Sequence, residues 1–392
     1  MSAMAQVLLA VAGATLQHTV ADIVAQQSKK YNCSIAAAVY SESRRVQTAA
    51  AGGTVSLDPK ASATTVDDIF VWGSITKVST GAAILQLAQA GKLSLNDTIA
   101  MYVDPMLRAM KVADPSLNFS SCADLWGSAV GGVTIYHLAT MNSGIPDFDT
   151  ANPFPPPTDA LRATIYSKPS HDFTPPELLS VPWVATGKLL CTPGHCPGYG
   201  FNYSSTNFML LGLILAERHG AAGWEQWDQS SFLPHDLKAA LPSIRYVRRG
   251  APSDVSRLTG YDRTSYNGHS PTALPGISVR HTHGVFAGWS ASDYTSTVAD
   301  AARLAYEVYG PAQRIIDPSI MVPKCDALRH CICTRLPPRM LTVRLCAPWR
   351  VLSDRCVSHR RWVCDIQPDQ PAGVADCQDG AGVRPYWCDL RL

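Results

Sequence analysis

Apolar and polar positions follow two different patterns along this chain, and each pattern predicts a different kind of element. In residues 72–87 the apolar positions recur at helical spacing, and Gly91 ends the run. Those positions are Ile75, Val78, Ala82 and Leu85. We therefore predict a buried helix that begins close to Ser74. Residues 34–40 instead form a short apolar run typical of a strand, and residues 46–50 can pair with it as a hairpin.

Further helices are predicted downstream. Thr134 and Thr174 stand at positions typical of helix N-caps, and Gly220 follows a helix predicted over residues 203–219. Another helix is predicted over residues 297–309. A strand region followed by many helices favours an α+β architecture over alternating βαβ units.

Composition excludes several classes of function. Of the 392 residues, 46% are hydrophobic and 16% are charged, and the net charge is +2. A large core is therefore expected, and a disordered chain is not. No basic stripe indicates nucleic-acid binding, and no apolar run is long enough to span a membrane. The apolar residues 7–12 predict either a signal peptide or, continued to residue 24, an amphipathic helix.

Sequons and cysteines bear on the compartment. Sequons for N-glycosylation begin at Asn32, Asn96, Asn118 and Asn202. They favour a secreted or other extracytosolic protein, while the sequence leaves the compartment and the oligomeric state open. Cys191 and Cys196 either close a small disulfide loop or remain as free buried thiols.

The last 68 residues have an unusual composition. Residues 325–392 contain ten Arg, seven Asp and eight Cys, with no Lys and no Glu. We interpret this tail either as a disulfide-rich appendage or as a frameshifted or intron-derived translation in place of the original C-terminus. The abrupt change in composition favours the second interpretation. A zinc module is a third option, but the tail has no C-x-x-C pair. We expect a domain over residues 1–324 and a poorly ordered tail.

Ser74-Ile75-Thr76-Lys77 is the only S-x-x-K sequence in the chain. Positions i and i+3 share one face of a helix, so Lys77 is expected beside the Ser74 hydroxyl. A serine becomes a good nucleophile when a neighbour removes its proton, and a partly buried, neutral lysine can do this. Backbone N–H groups at the helix start would then hold the oxyanion. Common residue types also produce this tetrapeptide by chance, so its context decides.

Five segments of the chain form a recognisable set. They are F-V-W-G-S-I-T-K at 70–77, G-K-L-S-L-N-D at 91–97, V-T-I-Y-H-L-A-T-M-N-S-G-I-P at 133–146, P-G at 193–194 with Y-S-S-T-N-F-M-L-L-G at 203–212, and S-T-V-A-D-A-A-R-L at 296–304. Together, and in this order, they resemble the serine β-lactamase and penicillin-binding-protein family, most closely its class C-like, eukaryotic β-lactamase-related branch. S-x-x-K is one of that family's signatures. The resemblance implies a β-lactamase/DD-peptidase-like fold, with an antiparallel sheet flanked by helices and a helical subdomain.

The resemblance also implies roles for four residues. Ser74 matches the acylated nucleophile, Lys77 its proton partner, and Tyr203 the tyrosine of the family's Y-x-N motif, the expected general base. A phenol beside an ammonium has its ionised form favoured, so these two groups can exchange one proton. Ser205 matches the substrate-binding Asn of the same motif. Without the neighbouring segments, Tyr203 would be interpreted as a core tyrosine at a helix start.

Two departures from the family pattern concern substrate and activity. Position 205 is Ser where the family has Asn. A serine side chain offers a bound acyl amide different hydrogen bonds from those of an asparagine side chain. Asn207 cannot be assumed to replace the family's Asn. The family's third motif, K-T-G or H-x-G, does not occur in the chain; the nearest string, residues 281–284, precedes the 296–304 segment. Losing one oxyanion donor costs about 10²–10³ in rate. We therefore expect residues 1–324 to be a β-lactamase-related domain whose C-terminal strands are missing or replaced.

Metal binding is an alternative interpretation of two histidine-containing stretches. His281 and His283 could be two ligands, but no third ligand follows nearby, so a surface loop is favoured. His195 could bind a metal together with Cys191 and Cys196, but a small loop is favoured there as well.

Three hypotheses about function follow. The first is a serine hydrolase that forms an acyl-enzyme on Ser74 and acts on a small ester or amide, without a metal or organic cofactor. The second is a catalytically impaired protein that uses the same fold for binding, or an incomplete gene product. The third is a secreted structural protein with a cysteine-stapled tail.

Overall fold

The computed structural model describes residues 3–42, 46–149, 160–196, 203–262, 276–310, 314–317 and 342–347. The helices in this part of the chain are α1 (Ala3–Tyr31), α2 (Thr76–Gln89), α3 (Ala100–Ala113), α4 (Cys122–Trp126), α5 (Ile135–Ala139), α6 (Ala160–Ser167), α7 (Pro175–Ser180), α8 (Ser205–Arg218), α9 (His235–Ala240) and α10 (Val298–Tyr309). The strands are β1 (Ser34–Ser41), β2 (Val46–Gly52), β3 (Phe70–Val71), β4 (Arg245–Tyr246), β5 (Tyr261–Asp262), β6 (Ile277–Ser278), β7 (Tyr294–Ser296) and β8 (Thr342–Ala347). The sequon at Asn202 and the tail apart from β8 lie outside the described residues.

An antiparallel sheet of order β2-β1-β8 contains the predicted hairpin. Ile35 of β1 lies opposite Gly52 of β2, so the predicted pairing of the two strands is confirmed. The N-terminal apolar run lies within α1, whose Val20 and Val24 pack into a small core against this sheet. No helix in the described part of the chain is both long and apolar enough to cross a bilayer.

The tail contributes one described strand to that sheet. β8 pairs antiparallel with β1, with Ala36 opposite Leu345. Residues 348–392 lie outside the described residues.

A second sheet, of order β3-β7-β4, joins distant parts of the chain. Phe70 of β3 lies opposite Ser296 of β7, and Arg245 of β4 lies opposite Thr295. These strands are only two or three residues long, so no alternation of apolar and polar positions marks them. β3 leads directly into the S-x-x-K segment, and the sheet therefore sets where that segment lies.

The main core surrounds α8. Residues 205–216 of this helix are all buried, as expected for a helix that is apolar on every face. α2, α3 and α5 pack against it. Burial of one large aliphatic side chain contributes about 1.5–3 kcal/mol, so this helix is a major source of stability.

Local signals predicted the helix starts well. Thr134 caps α5 by accepting a hydrogen bond from the His137 N–H. At the start of α7 the Glu177 carboxylate accepts the Thr174 N–H at 2.8 Å. The predicted helices and the α+β class are confirmed, although α8 begins at Ser205 rather than at residue 203.

Candidate active site

Ser74 lies in a tight turn between β3 and α2. The turn is a 3₁₀ segment, Gly73–Ile75, and the α-helix proper begins at Thr76. Gly73 has a φ of 53°, a conformation that favours glycine. The Thr76 hydroxyl donates to the Gly73 carbonyl at 2.7 Å and accepts the Tyr294 N–H at 2.8 Å. The turn that presents Ser74 is therefore fixed to β7.

Lys77 lies in the first turn of α2 and is almost completely buried. Its Nζ donates to Ser74 Oγ at 3.0 Å and to the Ala291 carbonyl oxygen at 3.0 Å. The amine is therefore held in place from two sides. The predicted proximity of these serine and lysine side chains is confirmed.

Tyr203 comes to the same serine from a distant part of the chain. Its Oη lies 2.8 Å from Ser74 Oγ, and either oxygen can be the donor. Lys77 Nζ lies 5.3 Å from the centroid of the Tyr203 ring, a distance at which a cation and a ring attract each other. The side chain is 46% exposed and precedes α8, so it is not a core tyrosine. Ser74 Oγ thus contacts an amine and a phenol at once.

The two other residues of the predicted motif lie inside the fold. Ser205 is buried, and its N–H donates to Asp147 Oδ1 at 2.9 Å. Asn207 is fully buried, and its Oδ1 accepts from Ser143 Oγ at 2.7 Å. Asn207 therefore ties two segments together, and its side chain does not replace the Asn of the family motif.

Asp147 is a site residue that the sequence did not single out. Its carboxyl accepts the N–H groups of Ser205 at 2.9 Å and Asp149 at 3.3 Å. Burial, followed by repulsion from Asp149, raises the pKa of Asp147 to about 7, while the two N–H bonds, and after them attraction to Lys77, act in the opposite direction. Asp147 directly follows Pro146, where an Asp is typical of an ordinary turn. No local pattern distinguishes it from such a residue.

A disulfide bond joins Cys191 and Cys196. The disulfide option is therefore confirmed. The loop packs against the segment that leads to Asp147, because the Gly194 N–H donates to the Asn142 carbonyl at 2.9 Å. Gly144 has a φ of 76°, and a Cβ there would lie 2.4 Å from the Cys191 carbonyl oxygen. Glycine at this position permits the close approach of the two segments.

The histidines considered as metal ligands have other contacts. His281 Nδ1 lies 3.1 Å from Ser253 Oγ, and His283 Nδ1 lies 2.7 Å from Asp172 Oδ1. Within the described residues, no group of three or more His, Cys, Asp or Glu side chains could hold a metal ion.

Several solved structures share the fold of this chain. The chain is similar to a D-amino acid amidase from Ochrobactrum anthropi SV3, with a TM-score of 0.55 and 17% identity over 78% of this chain and 73% of that chain. It is also similar to a D-stereospecific amidohydrolase from Streptomyces sp. (TM-score 0.53, 17% identity, 82% of this chain and 79% of that chain). An octameric penicillin-binding protein homologue from Pyrococcus abyssi has a TM-score of 0.52 and 20% identity over 77% of this chain and 58% of that chain. The fold is therefore that of the β-lactamases and DD-peptidases.

The family model for Beta-lactamase matches residues 20–307, and the chain belongs to this family. A curated relative, Protein flp of Staphylococcus aureus (strain NCTC 8325 / PS 47), is 32% identical over 208 residues, which are 50% of this chain. The match spans only 34% of that relative's length.

Proposed function

We propose that this protein is a serine hydrolase that forms an acyl-enzyme on Ser74. The observation that carries the proposal is the position of Ser74 Oγ, which lies 3.0 Å from Lys77 Nζ and 2.8 Å from Tyr203 Oη. A serine with a basic group within hydrogen-bond reach, itself held near a third group, is the arrangement of an activated nucleophile. Membership of the Beta-lactamase family supports the same conclusion.

The proposed reaction has two steps. In the first, Ser74 Oγ attacks the substrate carbonyl carbon while its proton passes to the Tyr203 phenolate, which the Lys77 ammonium stabilises. The phenol then protonates the leaving alcohol or amine, and the acyl group stays on Ser74. In the second step a water attacks the acyl carbon, Tyr203 takes the proton of the water, and Ser74 recovers its proton as the acid leaves. The Ser74 N–H, at the start of the turn before α2, would be one donor to the oxyanion.

The proposed substrates are small esters or amides. Two structures of the same fold are described as a D-amino acid amidase and a D-stereospecific amidohydrolase, which suggests amides of small acids as the class to test first. We propose Ser205 as a residue at the substrate-binding position on the basis of the motif alone. We also propose that residues 1–324 carry the hydrolase domain and that residues 325–392 are an atypical tail, of which β8 joins the sheet of this domain beside β1.

A second candidate function is ligand binding by a catalytically impaired protein of this fold. The sequence favours it at one point, because the chain contains no K-T-G or H-x-G motif. That motif would supply a second oxyanion donor, and without such a donor the rate falls by about 10²–10³.

Labelling with a fluorophosphonate tests the proposal. The probe phosphonylates an activated serine, so the intact wild-type protein should gain one adduct mass, and peptide mapping should place it on Ser74. The Ser74→Ala variant should gain none, whereas Ser128→Ala, which changes an exposed serine, should be labelled like the wild type. Unlabelled wild-type protein with a cooperative melting transition would favour the binding function and overturn the hydrolase.

A further inference from the structure

We propose that Asp147 is a positioning residue of this site, which fixes the segment carrying Tyr203 by accepting the Ser205 N–H. The proposal rests on the proposed function, because it assigns a role in the reaction at Ser74. Among the described hydrogen bonds, none joins the Asp147 carboxyl to Ser74, Lys77 or Tyr203.

The proposal rests on a row of hydrogen bonds. Residues 143–148 and the start of α8 are joined by Ser143 to Asn207 at 2.7 Å, Asp147 to Ser205 at 2.9 Å, and the Phe148 N–H to Thr206 Oγ1 at 3.0 Å. Of these three bonds, the bond between Asp147 and Ser205 lies nearest to Tyr203, because Ser205 is only two residues after Tyr203 in the chain. It is also the only one of the three whose acceptor can ionise.

Tyr203 needs such support because its own side chain is poorly confined. The ring is 46% exposed, and Tyr203 lies before the first residue of α8. Its Oη must nevertheless stay within hydrogen-bond distance of Ser74 Oγ for proton transfer to occur. The residues that follow Tyr203 are completely or almost completely buried, and Asp147 holds the first helical one. Asp147 therefore limits how far the phenol can move.

The protonation of Asp147 bears on the same hydrogen bond. Burial, then repulsion from Asp149, raises the pKa of Asp147 to about 7, whereas the N–H groups of Asp149 and Ser205, and after them the charge of Lys77, favour its ionised form. Asp149 is itself held by Arg162 at 3.4 Å. Both forms of the carboxyl keep an oxygen that can accept the Ser205 N–H, so the bond does not require the charge.

Two variants separate the hydrogen bond of Asp147 from its charge. Asp147→Asn keeps an oxygen that can accept the Ser205 N–H but removes the charge, and Asp147→Ala removes both. Ser143→Ala is the matched control, because it breaks a neutral bond in the same row. The assay is the rate of Ser74 acylation by a p-nitrophenyl ester between pH 5 and 10.

The Asn variant should keep its maximal acylation rate within about threefold of the wild type. The Ala variant should lose at least about tenfold in maximal acylation rate. Ser143→Ala should keep the rate within about threefold of the wild type. An Asn variant as slow as the Ala variant, or an Ala variant with the wild-type rate, would overturn the inference while the acylation of Ser74 still stands.

Two readouts do not depend on activity. Hydrogen exchange at the Ser205 amide should accelerate at least about tenfold in the Ala variant and stay near the wild-type value in the Asn variant. Because the folded-state pKa of Asp147 is raised, its protonation stabilises the fold below the unfolded-state pKa of about 4, and this contribution disappears as the pH rises through about 7. The melting temperature of Asp147→Asn should therefore rise relative to the wild type between pH 4 and pH 8. If wild-type Ser74 is never acylated, the proposed function fails, and unchanged exchange and melting in these variants would then show that Asp147 does not hold the segment either.

Discussion

Replacement of Tyr203 by Phe tests the proton relay, the proposed transfer of a proton from Ser74 to Tyr203 beside Lys77. Lys77 lies three residues from Ser74 on one helical turn, so the contact between them follows from local structure. Tyr203 lies 129 residues away, and only the tertiary fold brings its Oη to 2.8 Å from Ser74 Oγ. Tyr203→Phe removes this oxygen and leaves the 3.0 Å contact between Lys77 Nζ and Ser74 Oγ in place.

The structure predicts a large effect on rate and a small one on stability. Loss of a general base costs about 10²–10⁴ in rate, which corresponds to about 3–5 kcal/mol in the activation barrier for acylation. The Tyr203 side chain is 46% exposed, and surface substitutions usually change the free energy of unfolding by about 0.5 kcal/mol or less. The expected variant therefore folds like the wild type and reacts far more slowly.

Single-turnover acylation by a p-nitrophenyl ester measures the rate, and thermal melting measures the stability. Tyr102→Phe is the matched control, because it removes a tyrosine hydroxyl on α3 that donates to Asp97 at 2.6 Å. Loss of this charge-assisted bond should cost about 1.5–3 kcal/mol in unfolding free energy and leave the acylation rate unchanged. A Tyr203→Phe variant that acylates within threefold of the wild-type rate would refute the relay.

Three further predictions follow from the same structure. Lys77→Met should reduce the rate of fluorophosphonate labelling of Ser74 by about 10²-fold or more, since no other amine contacts the serine oxygen among the described hydrogen bonds. Intact-protein mass spectrometry over time measures this rate. Reduction of the Cys191–Cys196 bond should lower the free energy of unfolding by about 2 kcal/mol, as expected for so short a loop, and calorimetry with and without reductant measures it. Burial, reinforced by the negative charge of Asp104, raises the pKa of the Cys122 thiol far above its usual range. Iodoacetamide at pH 8 should therefore leave Cys122 unmodified in the folded protein and alkylate it in urea. Modification of Cys122 in the native protein would contradict its burial.

Local chemistry made part of the fold predictable. Helix starts at Thr134, Thr174 and Thr297 depend on a cap residue and the three residues that follow it, so the signal lies within one turn. The hairpin of β1 and β2 likewise depends on neighbouring residues. The serine–lysine contact belongs to the same class, because helical geometry alone places i and i+3 together.

The features that the sequence did not predict depend on long-range contacts. β3 and β7 pair across more than 220 residues and are too short to show an alternating pattern. The burial of Asp147 depends on the docking of α8, and its raised pKa follows from that burial. The approach of Tyr203 to Ser74 was expected only from the resemblance to a family, because no property of the chain between them specifies it.

The proposed relay and the missing third motif concern different parts of the reaction. The turn that presents Ser74 is bonded to β7 through Thr76, Lys77 is bonded to the Ala291 carbonyl, and Ser205, two residues after Tyr203, is bonded to the Asp147 carboxyl. All of these residues lie within residues 20–307, which match the family. The absent motif would instead supply a second oxyanion donor and contacts to substrate. On this reasoning, a reagent with high intrinsic reactivity needs mainly the relay, whereas an unactivated amide also needs the oxyanion stabilisation. Rapid labelling by a fluorophosphonate together with slow turnover of amides is therefore the behaviour that the arrangement of groups predicts for this chain.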